Sequence, residues 1–116
     1  MKHDRKKQED ERIPNLSEKE TLILELLLGK TSAGMYGLEL VRESGARLKR
    51  GTVYVTLNRM EEKGFVESWN EEQQPNTAGL PRRLYRISGY GQRVYRVHQQ
   101  ARAAWNMPTL GMGSPS

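Results

Sequence analysis

The stretch Leu48 to Glu67, LKRGTVYVTLNRMEEKGFVE, constrains this chain most. Val53, Leu57 and Met60 recur at i, i+4 and i+7, which places them on one stripe of a helix. Gly64 follows the last turn and suits the left-handed conformation that ends a helix. Phe65 and Val66 then open a short run with strand character. Gly51, Thr52, Val55, Asn58, Arg59 and Glu62 fall away from the apolar stripe. That outer face is slim at its N-terminal end and carries hydrogen-bonding groups, with Lys49 and Arg50 just before it. A helix entering the major groove of duplex DNA needs this arrangement: a buried face, a slim polar face and cations near the phosphates. An ordinary amphipathic helix with a solvated face has the same pattern, so the surrounding segments decide between the two.

Upstream, residues 1–15 mix Lys2, Arg5, Lys6, Lys7 and Arg12 with Asp4, Glu9, Asp10 and Glu11. This stretch has almost nothing to bury and reads as a disordered tail. Ser17 and Glu20 form an S-x-x-E capping box ahead of the run LILELLL, so a core helix starts there and ends at Gly29. A loop over Lys30–Gly34 leads to a second helix, Met35–Ser44, with Leu38, Leu40 and Val41 apolar and Gly45 closing it. Downstream of Gly64, Phe65–Trp69 alternates as a strand, with Phe65, Glu67 and Trp69 on one side. A polar loop broken by Pro75, Gly79 and Pro81 follows. Arg82–Ile87 returns as a second strand, with Leu84 and Arg86 alternating against Arg83, Tyr85 and Ile87. A last helix runs from Ser88 or Gly89 to about Trp105. From Pro108 the chain is rich in Gly, Pro and Ser, and 107–116 reads as a flexible tail.

The 116 residues suffice for one domain, and a hydrophobic content of 35% implies a small core. No apolar run is long enough to cross a bilayer and no signal peptide is visible, so a cytoplasmic location is expected. Cysteine is absent, which excludes a thiol nucleophile, a disulfide framework and thiolate metal sites. A net charge of +5 favours a polyanionic partner. His3 sits in the tail and His98 stands alone among Gln and Arg. The acids Glu61, Glu62, Glu71 and Glu72 occur as adjacent pairs without a histidine or serine partner. No catalytic site, metal site or cofactor is expected. GMYG lacks the lysine and hydroxyl of a phosphate loop.

Helix, helix, helix, strand, loop, strand, helix is the order of a winged helix-turn-helix, here α+β, mostly α (α-α-α-β-β-α). Four segments resemble the PadR family of bacterial transcription regulators. YGLELVRE at Tyr36–Glu43 resembles that family's second helix, opened by a Tyr-Gly pair. KRGTVYVTLNRMEEKGFVES at Lys49–Ser68 resembles G-T-L-Y-P-x-L-x-R-L-E-x-x-G. Gly51, Thr52, Tyr54, Leu57, Arg59, Glu61 and Gly64 match that pattern; Val53 and Met60 are apolar replacements, and Val55 stands where proline is usual. GLPRRLYRIS at Gly79–Ser88 resembles the wing ending G-R-P-R-K-Y-Y-x-L-T, with Leu80 replacing a common arginine, and GYGQRV resembles the start of the C-terminal helix. The likeness spans roughly Leu16 to Val97. The central segment alone also resembles the penicillinase-repressor group, from which the wing separates it. The resemblance implies a dimeric, ligand-responsive repressor. The family usually continues into a longer dimerisation region, where this sequence has about one helix.

The expected double-stranded DNA contacts are Lys49, Arg50, Thr52, Tyr54, Asn58 and Arg59 on the central helix, and Arg82 and Arg83 on the wing. Arginine pairs with guanine and asparagine with adenine in bidentate geometry, so Arg59 or Asn58 suits base readout. Alternatively, Arg59 pairs with Glu62 three residues on. Tyr54 lies nearer the apolar stripe, where it packs while its hydroxyl meets a phosphate. Arg82 and Arg83 suit phosphate or the minor groove, or are solvated strand-end arginines. Trp69, Tyr85 and Trp105 are candidates for an effector pocket, though core or dimer contacts are the commoner role for such residues. Tyr90, Val94, Val97, Ala101 and Ala104, extended by Trp105, form an apolar stripe expected to make a homodimer. The division expected is therefore a domain at 16–88 and a dimerisation helix at 89–106. A winged-helix module that docks a protein is the alternative to a DNA-binding repressor.

Overall fold

A computed structural model describes residues 14–30, 33–71 and 82–106. The tails expected at 1–15 and 107–116 lie outside these residues, apart from 14 and 15. So does the loop between the strands from 72 to 81, with Pro75, Gly79, Leu80 and Pro81.

Helix α1 spans Glu18–Leu28. The Ser17 hydroxyl accepts the Glu20 N–H at 3.1 Å, and the Glu20 carboxylate accepts the Ser17 N–H at 2.9 Å. This reciprocal pair satisfies two N–H groups that a helix start leaves open. Leu22, Ile23, Leu24 and Leu27 are all buried, because α1 touches elements on several sides.

Tyr36 corrects the expected second helix. Met35–Tyr36 is a short strand, β1, and helix α2 covers only Gly37–Glu43. Tyr36 holds an extended backbone at φ −78°, ψ 155°, and its N–H donates to the Glu39 carboxylate at 2.9 Å. That contact fixes the helix start after Tyr36 and leaves Met35 and Tyr36 free to pair with a strand. Seven residues make about two turns, so one face is covered: Leu40 is buried, whereas Leu38 is 44% exposed.

Helix α3, Arg50–Glu62, buries Val53, Leu57 and Met60 completely. Gly64 then adopts φ +85°, a conformation that side chains with a Cβ disfavour. Strands β2, Val66–Asn70, and β3, Arg83–Ile87, pair antiparallel with Val66 opposite Ile87 and Asn70 opposite Arg83. Met35 and Tyr36 add opposite Tyr85 and Leu84, giving sheet order β1-β3-β2. Residues directly opposite share a face, so Glu67, Trp69, Leu84 and Arg86 lie together, as the alternation predicts. Tyr85 and Ile87 enter the core on the other face.

Helix α4, Gly89–Asn106, returns to this core. Ser88 sets its start: its hydroxyl accepts the Gly91 N–H at 2.8 Å and donates to the Gly64 carbonyl at 2.5 Å. Gly91 packs directly on the Phe65 carbonyl, where a Cβ has no room. The helical order and the antiparallel wing make this a winged helix, with one short strand more than expected.

Candidate nucleic-acid interface

The outer face of α3 is exposed from Gly51 to Glu62, as its spacing requires. The side chains of Lys49, Arg50, Asn58 and Arg59 make no hydrogen bond or ion pair among the described residues. The expected alternative, an Arg59–Glu62 pair, does not form. Thr52 and Thr56 spend their hydroxyl protons within the helix, on the carbonyls of Lys49 at 3.3 Å and Thr52 at 3.1 Å. Tyr54 remains 41% exposed while its ring packs over Gly37 at the start of α2. Tyr54 thus packs on its own chain while keeping part of its surface in solvent.

The wing arginines carry partners that the sequence did not reveal. The Arg82 guanidinium stacks 4.1 Å from the centre of the Tyr36 ring and approaches the Glu71 carboxylate at 3.4 Å. The Tyr36 hydroxyl donates to the same carboxylate at 2.7 Å. That hydrogen bond and desolvation push the phenol above its ordinary pKa, against the charge of Arg82. Arg83 donates to Ser68 Oγ and Asn70 Oδ1, each at 3.0 Å. Ser68 in turn donates to Glu61 on α3 at 2.7 Å, so the wing is tied to the end of the central helix. Arg86, which the sequence reading passed over, pairs with Glu67 at 3.0 Å and lies 5.2 Å from the Trp69 ring. These arginines are exposed, and exposed ion pairs contribute about 0–1 kcal/mol. Phosphate oxygens can therefore replace such partners at little loss.

A groove of about 600 Å³ runs between the start of α1 and the outer face of α3, with Lys19, Thr52, Val55, Thr56, Arg59 and Lys63 along it. Lys63 bonds Glu20 at 2.8 Å. Burial raises the Glu20 pKa, but the Lys63 hydrogen bond, the Ser17 backbone N–H and the Lys63 charge outweigh it, and the carboxyl sits below its ordinary value. Lys19 and Lys63 were missed as groove residues. For Lys63 a partial signal was available in Glu20, a capping acid beside an apolar run that a cation would face.

The apolar stripe of α4 divides in two. Val94 is only 4% exposed and belongs to the core of its own chain. Tyr90 also packs there, with its ring 5.7 Å from that of Phe65, and Val97 is half-buried. Ala101 and Ala104 are exposed, and Trp105 is 88% exposed. Only this distal part is available to a partner. The three effector-pocket candidates do not enclose a common space: Tyr85 is in the core, Trp69 covers Gly34, and Trp105 stands in solvent. Among the described residues no helix is long and apolar enough to cross a membrane.

The sequence model described as the transcriptional regulator PadR-like family matches residues 23–97. No curated protein matches the chain. Among solved structures, a PadR family transcription regulator from Clostridium difficile is 26% identical, with 79% of this chain and 93% of that one covered and a TM-score of 0.62. A PadR family transcriptional regulator from Eggerthella lenta is 27% identical, with 80% and 76% covered and a TM-score of 0.56. A PadR-like transcription factor from Bacteroides fragilis shares the fold at 19% identity, with 80% and 87% covered and a TM-score of 0.63.

Proposed function

Because the chain belongs to the transcriptional regulator PadR-like family, a family of DNA-binding regulators and not of enzymes, we propose that it acts in the cytoplasm as a homodimeric, sequence-specific repressor. The observation that carries this is the outer face of α3, where Asn58 and Arg59 stand exposed without partners among the described residues and Lys49 and Arg50 precede them. Such a face offers two bidentate base readers and a cationic approach to phosphate. Arg82 and Arg83 on the wing add phosphate contacts once their exposed partners are exchanged. Dimerisation is supported by Ala101, Ala104 and Trp105, an apolar end of α4 that the chain's own core leaves uncovered. The units implied are a DNA-binding domain over 16–88, closed by the first half of the 89–106 helix, and a dimerisation surface on that helix's distal end. The repression proposed is by occupancy: a dimer bound over a promoter would exclude the polymerase.

Selection of bound sites from random duplex DNA tests this directly. The expected product is a palindrome whose half-sites lie about 10 base pairs apart, or a multiple of that. Failure to enrich any sequence contradicts specific DNA binding, and enrichment of a single half-site contradicts the dimer.

A further inference from the structure

The middle of the α3 outer face is apolar. Val55 is 51% exposed on it, although exposed helix positions favour straight-chain polar residues. Thr52 and Thr56 line the same groove as Val55, and both have donated their hydroxyl protons to carbonyls of their own helix. To read a base acceptor, either hydroxyl must first exchange a bond made within its own helix. What the three residues have in common is methyl groups, and a valine contributes nothing else. Arg59, one turn further on and without a partner among the described residues, closes the patch with a guanidinium. In the major groove the one apolar group on a base edge is the thymine 5-methyl.

We propose that Val55 is a specificity-determining residue that reads a thymine 5-methyl group in each half-site, with Thr52 and Thr56 completing the apolar seat. The assignment rests on the DNA-binding function proposed above. A methyl group removed from water against such a seat is worth a few-fold in affinity.

The test takes a duplex selected by the wild-type full chain and replaces each thymine in turn by deoxyuridine, which deletes only the methyl. Binding is measured for wild type and for Val55→Ala, an exposed helix position where alanine is tolerated. One thymine per half-site is expected to lose about three- to fourfold in wild-type affinity on losing its methyl, and Val55→Ala, which leaves only smaller methyl contacts, is expected to lose most of that difference at that position. A wild type indifferent to every methyl overturns the proposal, as does a Val55→Ala chain that keeps the full sensitivity. A wild type that selects no site at all overturns the DNA-binding function itself, so the two failures are distinguishable.

Discussion

The ring of Tyr54 lies directly on Gly37: a Cβ at residue 37 would stand 2.5 Å from Tyr54 Cε1 and 2.8 Å from its hydroxyl oxygen. This contact joins the start of α2 to the outer side of α3. A glycine in a helix normally gains about 1 kcal/mol on becoming alanine, but Gly37 is buried. Here Gly37→Ala is expected to lose about 1–3 kcal/mol, as an overpacked site does. In a Tyr54→Ala background the same change should instead be neutral or stabilising. Urea unfolding of the four chains gives both signs, and equal effects in the two backgrounds would contradict the contact.

Glu20 predicts a pH dependence. Its carboxyl is lowered below the ordinary value in the folded chain. A depressed acid stabilises above its unfolded pKa and loses that contribution as pH falls through the folded one. Glu20→Gln should therefore be less stable than wild type at neutral pH. The gap should close on acidification through the ordinary carboxylate range and below it. Denaturation curves collected across that window check this, and a gap independent of pH would contradict it.

Much of this fold is legible in the sequence itself. Ser17 and Glu20 announce a helix start because a capping box is a local device whose partners lie three residues apart. Val53, Leu57 and Met60 announce the buried face of α3 because periodicity survives any tertiary context. The two-residue strand at Met35 was not legible: its partners, Leu84 and Tyr85, lie almost fifty residues away, and no local pattern reports such pairing. Arg82 and Arg83 looked like free cations for the same reason, since Tyr36, Glu71, Ser68 and Asn70 reach them only through the sheet register. On α4 the spacing of Tyr90, Val94, Val97, Ala101 and Ala104 gave a stripe, but periodicity cannot say which half the chain itself covers.

The wing should govern salt dependence. If Arg82 and Arg83 exchange their exposed partners for phosphates, changing both to alanine removes about two phosphate contacts. The log–log salt slope of binding should then fall by about two, with sequence preference largely kept. An unchanged slope would leave the two arginines as links of the wing to Tyr36 and β2 only.

The division of the α4 stripe separates folding from association. Ala101→Glu with Trp105→Lys should give a folded monomer by sedimentation and circular dichroism, with weak, mainly non-specific DNA binding. Val94→Glu should unfold the domain instead, because it places an unpaired charge in the core. A double variant that remains dimeric, or a wild type that is monomeric at micromolar concentration, would contradict dimerisation through the distal helix.

The central claim is that the outer face of α3 reads bases, and Asn58 and Arg59 test it most directly. Affinities of wild type, Asn58→Ala and Arg59→Ala are measured on the selected site and on its full set of single base-pair variants. Loss of a bidentate contact should weaken binding by about 1–3 kcal/mol and erase the preference at one position per half-site, leaving the others intact. If both variants keep the wild-type preference at every position, these residues do not read the sequence and the assignment of the face is wrong.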